Sequence, residues 1–137
     1  MNSMRNKATV IILFLLSQLS LATTAQAAKT TAECQQEDAT IQDVSRCLDG
    51  VIETIDRELQ TWVNNHVFNL EEKAMITGRY SALKMFKRSQ SNFITFREND
   101  CRWQYLAVSP EKGASIAYKK CYIQVSQARI MQLSQIP

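Results

Sequence analysis

Two polar residues stand where a helix should be apolar. At about 100° per residue, Met75, Ile76, Leu83, Phe86, Phe93, Ile94 and Cys101 fall on one helical stripe, and Gln90 and Arg97 lie inside it. An arginine stem can lead its charge out to water. One that points inward needs a carboxylate or carbonyl, because burying an unpaired charge costs several kcal/mol or more. Two chemistries are open: Arg97 and Gln90 recognise a partner, or Arg97 is an internal clasp gripping Asp56 while Gln90 satisfies a neighbouring group. Asp56 sits on the flank of an earlier stripe, from which it can reach inward. Arg97 lies one turn before Cys101 and points where helices pack, so the clasp is the better reading.

Other reactive residue types are sparse. His66 is the only histidine, and no serine and base arrangement is legible, so the chain does not read as an enzyme. The pairs Glu71 with Glu72 and Glu98 with Asp100 read as helix surface or capping charge, and His66 as a residue near a helix C-terminus, where a protonated ring meets a favourable dipole. Cys34, Cys47, Cys101 and Cys121 contain no closely spaced pair, which excludes the common zinc patterns, and no metal or other cofactor is expected.

The elements that must position these residues begin after a targeting segment. Arg5 and Lys7 precede an apolar run from Ala8 to Ala22, and Ala25, Gln26 and Ala27 supply a small-x-small cleavage site. A single-spanning anchor is the competing reading. Ser17, Gln18 and Ser20 leave the run short of the roughly 20 apolar residues a span needs. Cleavage after Ala27 leaves one small domain, residues 28–137, in the periplasm or secreted, with no membrane segment. Cys34 lies too far downstream to make it a lipoprotein. Four cysteines in an exported chain are read as two disulfides.

Charge separates by position. Residues 28–66 hold eight acids against Lys29, Arg46 and Arg57, a net of −5, and the remainder carries +6. So balanced an exported domain is a poor partner for nucleic acid. A charged protein partner could still choose one end.

The periodicity predicts an all-α bundle of three main helices, about 40–66, 70–105 and 114–133. Thr40 with Asp43 marks the first start. Ile41, Val44, Leu48, Val51, Ile52, Ile55, Leu59, Trp62 and Val63 form its stripe, with Gly50 on the solvent side. Asn64, Asn65 and His66 suggest a turn, and Asn69 with Glu72 a second cap. The second helix is then unusually long, with a bend expected near Gly78. Ser109, Pro110 and Gly113 mark the next loop. The third helix is apolar on two sides: Ile116, Ile123 and Ile130 on one, and Ala114, Ala117, Cys121, Val125 and Ala128 on the other, so it is expected between its neighbours. Of the three connectivities open to four cysteines, the antiparallel return across the 106–113 loop favours Cys101 with Cys121. That leaves Cys34 with Cys47, clipping the N-terminal arm to the first helix. Two such bonds contribute on the order of 5 kcal/mol.

The ordered set resembles the N-terminal domain of the LprI-type lysozyme inhibitors, small exported bacterial domains. The matching positions are Cys34 and Cys47, then Asp56 and Leu59, then Gln90, Phe93, Phe96, Arg97, Glu98 and Cys101, and finally Gly113, Cys121, Ser126 and Arg129. Departures occur at Gln60, where the family has Asn, at Phe93, where it usually has Trp, and at Ser126, where it often has Thr. The resemblance implies a polar cluster of Asp56, Gln90, Arg97 and Arg129, and steric inhibition of a lysozyme or related peptidoglycan hydrolase. Asp43, Asp49 and Glu53, on the polar side of the first helix, read first as a solvated face, and the resemblance makes them the candidate face for a basic hydrolase. The alternative is a periplasmic structural or interaction module whose partner is another envelope protein.

Overall fold

The structure, a computed structural model, describes residues 30–137, so the expected signal segment and its cleavage site lie outside the described residues. Three helices follow a short arm: α1 (Ile41–Thr77), α2 (Ser81–Val108) and α3 (Ala114–Ser134). The described residues contain no strand.

Helix α1 begins at a capping box. The Thr40 hydroxyl accepts from the Asp43 amide at 3.2 Å, and the Asp43 carboxylate accepts from the Thr40 amide at 3.3 Å. Two of the amides that a helix start leaves without partners are thereby satisfied. The expected turn at Asn64 to His66 does not exist, and α1 runs on to Thr77. The asparagines pair along the exposed side instead: Gln60 donates to Asn64 at 2.7 Å and Asn69 donates to Asn65 at 2.9 Å. Beneath them Val63, Val67, Leu70 and Ala74 continue the inward face at helical spacing, and that packing overrides the turn preference of the asparagines.

The break falls at Gly78. Its φ of 68° is left-handed, and its amide donates to the Ala74 carbonyl at 2.8 Å, which closes α1. The long second helix expected from Asn69 is therefore two helices, and a bend near Gly78 is a full reversal of direction. This also corrects the stripe. Met75 and Ile76 end α1 and are 70% and 81% exposed, while Ile94 is about half exposed. The inward face of α2 is Leu83, Gln90, Arg97 and Cys101, steps of seven, seven and four residues, so both polar residues occupy seam positions.

Cross-helix contacts fix the topology. Lys119 meets Ser45, Tyr122 meets Asp56 and Leu133 meets His66, so α3 runs parallel to α1. Against α2 the order reverses, through Cys121 with Cys101, Ser126 with Arg97 and Arg129 with Gln90. Helix α3 packs extensively on both partners, and α1 and α2 meet far less. Leu48, Val51, Ile55 and Leu59 of α1 and Ile123, Ile130 and Leu133 of α3 form the core, joined by Cys34 from the arm. Burying a side chain such as Leu48 or Leu133 stabilises the fold by about 2 kcal/mol. Ala128, expected on the small-residue side of α3, is exposed, because Arg129 makes the contact with α2 at that level. Cys34 is bonded to Cys47, and Cys101 to Cys121.

Candidate functional site

Arg97 is buried at the centre of the bundle. One guanidinium nitrogen, Nη1, donates to Ser126 Oγ at 2.9 Å and lies 3.6 Å from Asp56 Oδ1. The plane of the group covers the Tyr122 ring, with its carbon 3.8 Å from the ring centroid. Tyr122 in turn donates its hydroxyl to the Asp56 carboxylate, at 3.0 and 3.1 Å from its two oxygens. Arg97, Tyr122 and Asp56 thus close a triangle with one member from each helix. Asp56 remains about half exposed and leads this buried charge to the surface.

Two turns further along the seam is a second polar pair. Gln90 Oε1 accepts from Arg129 Nε at 2.8 Å and from Nη2 at 2.6 Å. Arg129 also donates to Gln132 at 2.6 Å and to Ser89 at 3.3 Å. Burial pushes the Arg129 guanidinium down from its ordinary value. Between the pairs lies Phe93, with guanidinium carbons 5.6 Å and 5.5 Å from its centroid for Arg97 and Arg129, a spacing at which a ring face attracts cations. The position where the family usually has Trp is therefore a slab between two cations, a role Phe can fill.

A groove of about 360 Å³ opens beside the triangle, with Asp56, Gln60, Gln90, Ile94, Arg97 and Tyr122 among its walls. Arg97 Nε is buried there without a hydrogen-bond partner. Arg97 Nη1, the Tyr122 hydroxyl, the Asp56 carboxylate and Gln90 Oε1 are committed to partners within the bundle. Burial is the chief cause that pushes the Tyr122 phenol up to about 12, Arg97 works against it, and the hydrogen bond to Asp56 adds to the rise. A phenol so placed stays protonated at neutral pH and keeps donating to Asp56. The arrangement locks three helices together and offers no activated base or nucleophile.

The three candidate acids of α1 each have a partner. Asp43 is held in the capping box, and its carboxyl lies below the usual range chiefly because the Thr40 hydroxyl donates to it. Arg46 stands 3.7 Å from it. Asp49 pairs with Lys119 at 2.6 Å, and Glu53 with Arg57 at 2.7 Å. All three acids are exposed, but each carries a counter-charge. Glu98 accepts from Tyr118 at 2.8 Å and Glu71 from Lys87 at 2.9 Å. Asp100 sits beside the formed Cys101–Cys121 bond, which has no thiolate to offer a metal.

His66 differs from the expectation. It lies mid-helix in α1, and its Nε2 is 2.9 Å from the Leu133 carbonyl. A carbonyl can only accept, so Nε2 carries the proton. The ring caps the last turn of α3 rather than of its own helix.

Tyr122 and Lys119 were not foreseen. Tyr122 is four residues before Ser126 and shares its face of α3, a spacing visible in the sequence. Lys119 donates to the Ser45 hydroxyl at 2.6 Å and to its carbonyl at 3.2 Å, and no local pattern announces a partner in another helix.

Comparison with known proteins adds one match. The family model described as lysozyme inhibitor LprI matches residues 22–133. Searches of curated proteins and of solved structures return no significant match. The matched span takes in both disulfides, the Arg97 triangle and the Gln90–Arg129 pair, and on that coverage the chain belongs to the LprI family of lysozyme inhibitors.

Proposed function

We propose that the chain is an exported inhibitor of a lysozyme-type peptidoglycan hydrolase, with residues 28–137 as its single mature domain after cleavage behind Ala27. Inhibition is steric: a rigid protein surface covers the enzyme's glycan cleft, without chemistry and without a cofactor. The observation that carries this reading is the family match over most of the chain. It is consistent with a polar cluster spent on internal contacts, and with disulfides of the kind that suit an oxidising compartment. No helix among the described residues is long and apolar enough to cross a membrane.

The test is lysis of suspended bacterial cell walls by egg-white and phage lysozymes, with and without the purified domain at micromolar concentration. Slowed lysis by at least one enzyme is expected. Unchanged lysis by every enzyme tried would leave a structural or interaction module of the cell envelope as the better reading.

A further inference from the structure

The bundle is not three helices thick along its whole length. Helix α3 ends at Ser134, at the level where His66 meets the Leu133 carbonyl. Helix α1 continues from His66 to Thr77, about 16 Å further at 1.5 Å per residue, and α2 returns alongside it from Ser81. Residues 67–85 therefore form a two-helix tip that overhangs the body. It is held by Ala74 and Leu83, both buried, and by the Glu71 to Lys87 ion pair near its base.

This tip is apolar on the outside. Phe68, Met75, Ile76 and Met85 are each about two-thirds exposed or more, and Tyr80 nearly half. Phe68 and Met75 are seven residues apart and share one face of α1. Met75, Ile76 and Tyr80 gather around the Gly78 turn. Side chains of this kind in a projecting position mark a contact surface. The tip and its base are also basic: Lys73, Arg79, Lys84, Lys87 and Arg88 stand against Glu71 and Glu72. Arg79, in the turn itself, has no ion-pair partner within 4.0 Å among the described residues.

We infer that the Gly78 tip is the wedge that enters the hydrolase cleft, with Arg79 directed at the catalytic carboxylates. This rests on the inhibitor reading above and names the surface that carries it. A glycosidase cleft is concave, largely apolar and built around two carboxyl groups. A protruding apolar end bearing an unpaired guanidinium complements all three properties, and Arg is suited to gripping carboxylates in a fork geometry. The like charges of two tips disfavour a second copy of this chain as the occupant. The acids Asp43, Asp49 and Glu53 lie toward the opposite end, already paired.

The inference is tested with Ile76→Asp, Arg79→Glu and Arg79→Lys, with Glu58→Lys as control, in the cell-wall lysis assay against each lysozyme the wild-type domain inhibits. All three sites are exposed, and unchanged melting curves check folding. Ile76→Asp and Arg79→Glu are expected to weaken inhibition at least tenfold, Arg79→Lys less than Arg79→Glu, and Glu58→Lys by less than twofold. Chitotriose, which fills the cleft, is expected to compete with the wild-type domain in a binding titration. Wild-type-like inhibition by both tip variants would overturn the wedge and leave the inhibitor reading standing. Binding of the domain that chitotriose does not weaken would do the same. Wild-type protein inhibiting no lysozyme would overturn both. Inhibition indifferent to the tip, together with phosphatidylglycerol vesicle binding that Ile76→Asp abolishes, would assign the tip to a membrane surface instead.

Discussion

Removing the Arg97 side chain withdraws a hydrogen bond from Ser126, a counter-charge from Asp56 and a cation from the Tyr122 ring in one step. Arg97→Ala is expected to destabilise the domain by about 3 kcal/mol, lowering Tm by roughly 10 °C or more, while material still folded retains inhibition. An unchanged Tm with lost inhibition would make Arg97 a recognition residue. Tyr122 sets a pH dependence. Its phenol ionises near 10 in the unfolded chain and near 12 in the fold, so its contribution is fully present below pH 10 and declines as pH rises toward 12. Denaturation midpoints measured from pH 9 to 12 should fall, and Tyr122→Phe should flatten that fall. Arg97 and Gln90 were legible in the sequence because a seven-residue step exposes a polar residue in an apolar seam. Ser126 and Tyr122 were not legible as their partners, because small and amphipathic residues suit a helix surface as well as its interior.

Among the elements, the two helix glycines should respond in opposite directions. Gly78 holds a left-handed backbone with open space where a Cβ would stand, so Gly78→Ala costs backbone strain alone, about 1 kcal/mol. Gly50 is exposed inside α1 with equally open space, so Gly50→Ala should stabilise by roughly 0.5 to 1 kcal/mol. Chemical denaturation of the two variants checks both signs. The same pair explains what the sequence hid. The end of α1 was misplaced because Asn64, Asn65 and Asn69 carry turn chemistry that neighbouring helix contacts override, whereas the single glycine that reverses the chain has little local signature. The start of α1 and the bounds of α3 were legible, since a capping box and a two-sided apolar pattern both leave fixed spacings.

At the level of the whole molecule, the two disulfides divide their labour. Each closes a loop of 13 or 20 residues and should contribute about 3 kcal/mol by restricting the unfolded chain. Replacing Cys34 and Cys47 with Ala should loosen the arm, seen as early proteolytic cleavage within residues 30–40, with the helical body intact. Replacing Cys101 and Cys121 should lower global stability, seen by denaturation. The dependence on α3 has a further effect, on timing. Helices α1 and α2 make few contacts with each other, and Ile123, Ile130 and Leu133 come from the last helix in the chain. A fragment of residues 28–112 should therefore show little cooperative melting by circular dichroism. During synthesis, no stable intermediate is available until α3 has emerged, so the nascent chain stays open until that helix is made. On the proposed export, a polypeptide threaded across a membrane before it folds is served by placing the element that closes its core after the two helices it joins.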